Sequence, residues 1–318
     1  MSNKKFIPWV EKYRPEKMED IVLDETNKTI LKSILEQNYF PNLLLYGPPG
    51  TGKTTTIINL INKYQQQYDQ KRKDLKIHLN ASDDRGIDII RNKINQFVNT
   101  NTLFKTGTKF VILDEVDYMT KNAQQALRYL IQQYSHNIRF CLICNYICRI
   151  DSALQNEFLK LKFCHLPKND IYNFINKIQK NEKINLTKKN IINIQNLFNS
   201  DIRSMINYLQ SNCNKLKNKK KKKIIDDTLW EKIYKQFKNK NNSVNLIKKF
   251  IKTVSKEYNI QINKIIRYYI KYLIKTNKNV FNNKFFKVFT YIIHDDTTIT
   301  EIKLNYFVNK FLELHKLL

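Results

Sequence analysis

Glycine is scarce in this chain, yet it clusters in one short segment. Only 5 of its 318 residues are glycine, and Gly47, Gly50 and Gly52 directly precede Lys53 and Thr54. The spacing G-x-x-x-x-G-K-[ST] is that of a phosphate-binding loop, in which backbone N–H groups surround phosphates at a helix N-terminus. The lysine reaches the β- and γ-phosphate oxygens, and the hydroxyl of the next residue ligates Mg²⁺. The predicted nucleotide-binding run is Gly47, Pro48, Pro49, Gly50, Thr51, Gly52, Lys53, Thr54 and Thr55.

An apolar run that ends in acidic residues is the second candidate for chemistry. The run from Phe110 to Leu113 is followed by Asp114, Glu115 and Asp117. Asp114 is predicted to hold Mg²⁺. Glu115 is predicted to be catalytic, because hydrolysis needs a base that polarises water beside the γ-phosphate. Asp117 is predicted to be structural, and the two motifs together predict a nucleoside triphosphate hydrolase.

Short apolar runs alternate with helical stretches as far as Pro167. Strands are predicted at 42–46, 76–80, 109–113 and 139–144, and helices at 53–68, 87–98 and 122–134. Such alternation is typical of an α/β domain with a parallel sheet. After Pro167 the chain has no glycine and no proline, and its apolar residues follow a helical period. The predicted fold class is therefore α/β followed by all-α.

The helical period and a charged block suggest where the domains end. An α/β domain is predicted over 1–166, a small helical domain over 167–213 and a further helical domain over 228–318. The basic linker between the two helical domains covers 214–227. It contains the lysine-rich segment 215–223, either a solvated loop or a nucleic-acid contact.

The formal net charge is +28, which predicts association with polyanions, most simply nucleic acid. Residues 1–166 carry a net charge of +7 and residues 167–318 carry +21. Lysine, asparagine and isoleucine are abundant throughout, so codon bias in an AT-rich genome is the alternative source of the C-terminal charge. No apolar run has membrane-spanning length and the N-terminus lacks a signal-peptide core, so we expect an intracellular protein.

The cysteines are weighed as metal ligands and as core residues. Cys141, Cys144 and Cys148 have a spacing that zinc can use, but Cys141 and Cys144 continue an apolar run and no second pair accompanies them. Burial as small hydrophobic side chains is the preferred interpretation.

Five segments of the chain occur in the order and spacing of one known family, namely Pro8–Pro15, Gly47–Thr54, Asn80–Asp88, Leu113–Asp117 and Ala123–Arg128. Together they resemble the small subunits of replication factor C, sliding-clamp loaders of the AAA+ class. The resemblance is strong over residues 6–210, whereas the C-terminal third is similar only in length and helical character. It implies an AAA+ ATPase domain, a helical lid and a helical collar through which five subunits form an open ring.

The resemblance also assigns residues around the nucleotide. Val10, Arg14 and Val22 resemble adenine-pocket positions. Asn145 resembles sensor 1, an amide that contacts the γ-phosphate or orients water, although an asparagine after a strand is usually a turn residue. Arg203 resembles sensor 2 in the lid. The family glycine three residues before it is replaced by Ser200.

One motif of the family is missing. Where the family has Ser-Arg-Cys after Ala-Leu-Gln, this chain has Asn156, Glu157 and Phe158. The missing arginine is the finger that stabilises the transition-state charge on a neighbouring subunit's ATP, and Glu157 reverses its sign. The hypothesis is that this face meets the gap in the ring or a non-catalytic neighbour, unless Lys160 or Arg149 substitutes.

Contacts with DNA and with the clamp are expected near the helix that follows Gly86. In the family that the chain resembles, this helix lines the central chamber and follows phosphates. The resemblance implies that Arg85, Arg91 and Lys93 contact DNA phosphates without sequence specificity, the alternative being surface cations. Phe97, Leu103 and Phe104 are either apolar anchors for a clamp or core residues.

The resemblance implies a DNA-stimulated ATPase that uses ATP and Mg²⁺ to load a ring-shaped sliding clamp onto primer-template DNA. Its expected partners are the other clamp-loader subunits, in a hetero-pentamer, together with the clamp and the DNA. The alternatives are a mainly structural ring subunit and a small subunit of an alternative or checkpoint clamp loader. The expected location is the nucleus in a eukaryote, and otherwise the cytoplasm or a viral replication site.

Overall fold

A computed structural model describes residues 7–68, 73–81, 87–99, 107–134, 138–198, 201–217, 227–239, 241–276, 283–294 and 300–316. The chain divides into two compact units. The first comprises Met1–Phe174 and Asn199–Ile206, and the second comprises Ile175–Phe198 and Asn207–Leu318. Among the described residues, no helix is both long and apolar enough to cross a membrane.

The first unit is built on a parallel sheet, which has five strands within the described residues. The strand order is β2-β3-β4-β1-β5, and each neighbouring pair is parallel. The strands are β1 (Leu43–Tyr46), β2 (Lys76–Asn80), β3 (Lys109–Asp114), β4 (Ile138–Cys144) and β5 (Leu159–Lys162). The helices of this part are α1 (Trp9–Lys12), α2 (Glu25–Glu36), α3 (Lys53–Gln67), α4 (Ile87–Asn99), α5 (Lys121–Tyr134) and α6 (Ser152–Gln155).

Both faces of the sheet are covered, which is why its central strands are continuous apolar runs. Leu43 and Leu45 face a core formed with α2 and α3. Leu44, between them, faces a second core formed with α4 and α5. Phe110 and Val111 alternate in the same way, so the period of two places neighbouring residues on opposite faces.

The predicted α/β segment is confirmed apart from strand β5 and helices α1, α2 and α6, which the prediction lacks. Each predicted strand and helix is present, with boundaries that differ by at most one residue. Strand β5 is missing from the prediction. It lies at the edge of the sheet beside β1, and only Leu161 of its four residues is buried. A four-residue strand with one buried side chain gives too weak an apolar pattern to be recognised.

Helices form the rest of the described chain, as the periodicity after Pro167 predicts. Helix α15 packs against α11, α12, α13 and α14. Helix α10 extends into the predicted linker as far as Lys217, and residues 218–226 lie outside the described residues. The helices are α7 (Lys168–Glu182), α8 (Lys188–Phe198), α9 (Ile202–Ser211), α10 (Cys213–Lys217), α11 (Asp227–Lys238), α12 (Val244–Tyr258), α13 (Ile262–Thr276), α14 (Asn283–His294) and α15 (Thr300–Lys316).

Candidate functional site

The glycine-rich loop joins β1 to α3 and uses backbone conformations that favour glycine. The φ angles are 145° at Gly47, 73° at Gly50 and 89° at Gly52. A Cβ atom at Gly47 would overlap the carbonyl oxygen of Phe163, and one at Gly50 would overlap the carboxylate of Asp201. The loop therefore requires glycine for its close contacts as well as for its backbone angles.

Lys53 connects the loop to Asn145, the residue that follows β4. Its Nζ donates to the carbonyl oxygens of Gly47 at 2.8 Å and Pro48 at 2.9 Å, and to Asn145 Oδ1 at 2.9 Å. Burial lowers the pKa of Lys53, and the negative charge of Asp114 opposes that shift. The structure thus places the loop lysine against the residue that resembles sensor 1.

Thr54 and Asp114, the two predicted Mg²⁺ ligands, are in direct contact. The Thr54 hydroxyl donates to Asp114 Oδ2 at 2.8 Å, and Asp114 Oδ1 accepts from the Glu115 N–H at 2.9 Å. Mg²⁺ prefers hard oxygen ligands and usually takes one or two carboxylates beside the phosphates of a substrate. A hydroxyl and a carboxylate at this distance fit that ion.

Glu115 has a strained backbone. Its φ of 58° and ψ of 37° lie in the left-handed region, which a non-glycine residue seldom adopts. It precedes the 3₁₀ turn Val116–Tyr118, and its side chain is half-buried. Strain of this kind concentrates at functional sites, where the surrounding structure holds the residue in place.

Asp117, predicted to be structural, holds the segment that carries Asn145. Its side chain is 5% exposed, and Oδ2 accepts from the backbone N–H groups of Asn145 at 3.3 Å and Tyr146 at 3.2 Å. Oδ1 has no hydrogen-bond partner among the described residues. The carboxylate therefore fixes the backbone from which the Asn145 amide extends toward Lys53.

A pocket beside the loop brings the predicted adenine residues together with Arg203, the predicted lid residue. Val10, Arg14, Val22 and Arg203 all line it. Arg14 also donates to Glu11 Oε1 at 2.9 Å. The loop residues that line it are Gly50, Thr51, Gly52 and Thr55, and the further lining residues are Tyr13, Pro15, Asp20, Ile21, Leu166, Phe174, Ile202 and Ile206.

Asp201 directly precedes α9, and its carboxylate lies against the glycine-rich loop. Its Oδ1 accepts from the Ser204 N–H at 3.2 Å, and its Oδ2 accepts from the Ser204 hydroxyl at 2.7 Å, which caps the helix. The same carboxylate occupies the space beside Gly50 where a Cβ atom would lie. Arg203 is exposed and lies two residues further along the chain.

Glu157, at the position of the missing finger, is already engaged within its own chain. Its Oε1 lies 3.4 Å from Arg128 Nε and accepts from Gln132 Nε2 at 2.7 Å. Arg149 lies over the Tyr146 ring, 5.0 Å from its centroid, and Lys160 is an exposed residue of β5.

The predicted DNA and clamp residues are described only in part. Arg85, Leu103, Phe104 and the side chain of Arg91 lie outside the described residues, whereas Lys93 is half-buried on α4. Phe97 packs against the core that α4 and α5 form with one face of the sheet. Lys109 Nζ lies 5.3 Å from the centroid of the Phe97 ring. This favours core packing for Phe97.

Two of the cysteines are core residues, in agreement with the interpretation that the sequence favours. Cys141 and Cys144 are buried in β4, whereas Cys148 is exposed. Burial raises the pKa of the Cys144 thiol to about 12, which keeps it protonated, and raises that of Cys141 as well. In the described part of the chain, no group of three or more His, Cys, Asp or Glu side chains is arranged to hold a metal ion.

Sequence reasoning missed residues whose contacts span long stretches of chain. Gln124 is 1% exposed; its Nε2 donates to Met119 O and Arg149 O, and its Oε1 accepts from the Asp151 N–H at 2.7 Å. The sequence offered one signal for Gln124: it is a polar residue on the apolar face of α5. A buried amide must be hydrogen-bonded, so such a residue is expected to bind neighbouring backbone groups. No comparable signal marks Asp201 as a neighbour of Gly50.

Comparison with known proteins agrees with these features. Residues 43–166 match the model of the ATPase family associated with various cellular activities, AAA. The chain is 39% identical over 229 residues to replication factor C subunit 3 of Saccharomyces cerevisiae, covering 72% of this chain and 66% of that protein. It is 41% identical over 205 residues to replication factor C subunit 5 of Homo sapiens, covering 64% and 60%. The archaeal small subunit of Sulfolobus acidocaldarius is 39% identical over 210 residues, covering 64% of this chain and 62% of that protein.

The solved structures that resemble this one show the fold alone. The RuvB Holliday junction branch migration motor of Thermotoga maritima superposes with a TM-score of 0.53 at 14% identity, covering 83% of this chain and 91% of RuvB.

The chain spans only part of its sequence relatives. The replication factor C subunits are matched over about two thirds of their own length or less.

Proposed function

Because the chain belongs to the replication factor C small-subunit family of AAA ATPases, we propose that it binds and hydrolyses ATP as a subunit of a clamp loader. The complex would load a ring-shaped sliding clamp onto primer-template DNA during replication. The observation that carries the proposal is that the glycine-rich loop contacts two neighbouring strand ends, through Lys53 with Asn145 and through Thr54 with Asp114.

Each residue at this junction has a chemical role in the proposal. The loop N–H groups and Lys53 bind the phosphates, while Thr54 and Asp114 hold Mg²⁺, which neutralises phosphate charge when bound. Glu115 polarises the attacking water, and Asn145 orients it or contacts the γ-phosphate. Val10, Arg14 and Val22 enclose the adenine, and Arg203 contacts the phosphates from the lid, as the lining of the pocket supports.

The proposed partners follow from the family. We infer a hetero-pentamer in which residues 167–213 form the lid and residues 228–318 form the collar. Arg85, Arg91 and Lys93 are proposed to contact DNA phosphates, so DNA binding should weaken as salt increases. The proposed location is the site of DNA replication inside the cell, which is the nucleus in a eukaryote.

Glu157 sets this subunit apart within the proposal. The subunit turns over its own ATP but does not activate the ATP of a neighbour, because its finger position carries a carboxylate. The finger-bearing face is proposed to meet the gap in the ring or a non-catalytic neighbour. Glu157→Arg in a reconstituted complex tests this placement: the total ATPase rate should stay unchanged. A several-fold increase would mean that the face adjoins a competent site and would reject the placement at the gap.

A mainly structural ring subunit is the second candidate. The contacts of Glu157 with Arg128 and Gln132 favour it, because they hold the altered residue against its own chain. ATP hydrolysis by the purified chain, measured with and without DNA and partner subunits, discriminates the two. A native mass measurement of the assembly pulled down with the chain identifies its partners and stoichiometry.

A further inference from the structure

A cavity of about 180 Å³ lies in the second compact unit and is lined by residues of α8, α11 and α13. Helix α13 contributes two pairs of side chains, the tyrosines Tyr268 and Tyr272 and the lysines Lys271 and Lys275. Residues four apart lie on the same face of a helix. An aromatic stripe therefore runs beside a cationic stripe along one wall.

The rest of the aromatic lining comes from α11. Trp230 is 6% exposed, and it lines the cavity together with the two half-buried tyrosine rings. The cavity is smaller than the roughly 300–1,000 Å³ of pockets that enclose whole drug-sized ligands. Its size and its aromatic lining suit a single planar ring system.

The charged lining favours an anion. Burial and the neighbouring charge of Lys275 lower the pKa of Lys271, as expected of like charges four residues apart on a helix. Among the described lining residues, Asp227 is the one carboxylate beside the two lysines Lys271 and Lys275. Residues 167–318 as a whole carry a net charge of +21. An anion beside the lysines would relieve their repulsion.

Helix α8 adds polar groups that can form hydrogen bonds with the edge of a nucleobase. The amide side chains of Asn193 and Asn196 line the cavity. Each amide offers both hydrogen-bond donors and an acceptor, which matches the mixed donor and acceptor edges of nucleobases.

We propose that this cavity binds single-stranded nucleic acid. One nucleobase would enter between the rings of Trp230 and the two tyrosines, and the flanking phosphates would contact Lys271 and Lys275. Stacking on aromatic side chains together with a cationic track is the general chemistry of single-strand binding. The bases of a duplex are stacked on each other and cannot enter a cavity of this size. An acidic peptide would satisfy the lysines but would leave the aromatic surfaces unused.

The chain contains 2 tryptophans, so a Trp9→Phe variant makes Trp230 the sole tryptophan reporter. The full chain in this background is titrated with an oligothymidylate at low salt without ATP. Fluorescence of Trp230 and anisotropy of the labelled strand are followed together. We expect the oligonucleotide to quench Trp230 with the same dissociation constant that anisotropy gives.

Removal of the two charges tests the contact itself. Lys271→Gln/Lys275→Gln keeps the aliphatic stems and should weaken binding by about tenfold or more. It should also reduce the slope of log K against log[salt] by about 1.4, which corresponds to two phosphates of a single strand. The control Lys249→Gln/Lys256→Gln removes the same charge from exposed positions on α12 and should change affinity by less than about twofold.

Three results would overturn the proposal. These are equal losses in the two double variants, binding without quenching of Trp230, and tighter binding of a poly-glutamate peptide than of the oligonucleotide. Far-UV circular dichroism confirms that each variant is folded. The inference goes beyond the ATPase and is separable from it, because the titration contains no ATP and turnover by Lys271→Gln/Lys275→Gln should equal that of the unaltered chain.

Discussion

Around the glycine-rich loop, polar side chains are buried and hydrogen-bonded to backbone groups, whereas helices α11, α13, α14 and α15 share a cluster of packed aromatic rings. Lys53 contacts backbone carbonyls of its own loop and the Asn145 side chain. Asp117 and Gln124 contact backbone atoms from another part of the chain. In the C-terminal helices, Phe237, Tyr269, Phe307 and Phe311 pack with ring centroids 4.5–6.3 Å apart.

The difference shows what each region is built to do. Polar groups in a buried site fix the positions of reacting groups, but each one is costly if its partner is lost. Aromatic rings remove apolar surface from water with little demand for exact partners. We therefore expect substitutions near the loop to change turnover sharply, and substitutions among the aromatic rings to change stability alone.

The largest effect is expected for Glu115→Gln, because it removes the proposed base and leaves the shape of the site. Turnover should fall by about 100-fold or more, whereas ATP affinity should change little. Phosphate release and binding of a fluorescent ATP analogue measure the two quantities. Glu36→Gln, an exposed acid at the end of α2, is the matched control and should retain full turnover.

Gly50→Ala should destabilise the fold more than Gly52→Ala does. Both positions have a positive φ, which costs an L-residue about 1–2 kcal/mol, but only at Gly50 does the added Cβ meet a neighbour, Asp201. Urea unfolding measures the difference. Asp201→Ala should remove part of the penalty, with a coupling of about 0.5–3 kcal/mol in the double-mutant cycle. Additive losses would contradict the contact.

Asp117→Asn should cost about 1–3 kcal/mol of stability and reduce turnover more than ATP affinity. The reason is that Asp117 holds the backbone of Asn145 rather than the nucleotide. Asn145→Ala should give the same loss of turnover with a smaller loss of stability. If Asp117→Asn lowered stability and left turnover per folded molecule intact, Asp117 would be structural only.

The smallest effect is expected among the aromatic rings. The Tyr269 hydroxyl is buried and has no hydrogen-bond partner among the described residues, so Tyr269→Phe should leave the free energy of unfolding unchanged or raise it by up to about 1 kcal/mol. Tyr64→Phe is the comparison in the first unit. Its hydroxyl donates to Asn38 Oδ1 at 3.1 Å, and the substitution should lose about 0.5–1.5 kcal/mol. Chemical denaturation of both variants reports the sign.

Local patterns predicted most of the first unit. The alternation of apolar runs and helices located β1 to β4 and α3 to α5, because a strand buried on both faces and an amphipathic helix each leave a period in the sequence. Strand β5 leaves almost none, since it buries only Leu161. The loop and the acidic motif were predicted because their backbone and ligand requirements are met by neighbouring residues.

The sequence by itself determined the phosphate loop, the acidic strand end, the change to helices after Pro167 and the reversed charge at Glu157. Only the tertiary structure decided that Asp117 holds Asn145, that Asp201 closes on Gly50 and that Arg128 engages Glu157. The physical reason is distance along the chain. A motif is fixed by adjacent residues, whereas these contacts depend on strand order and on which helix faces meet, and no short segment encodes either of them.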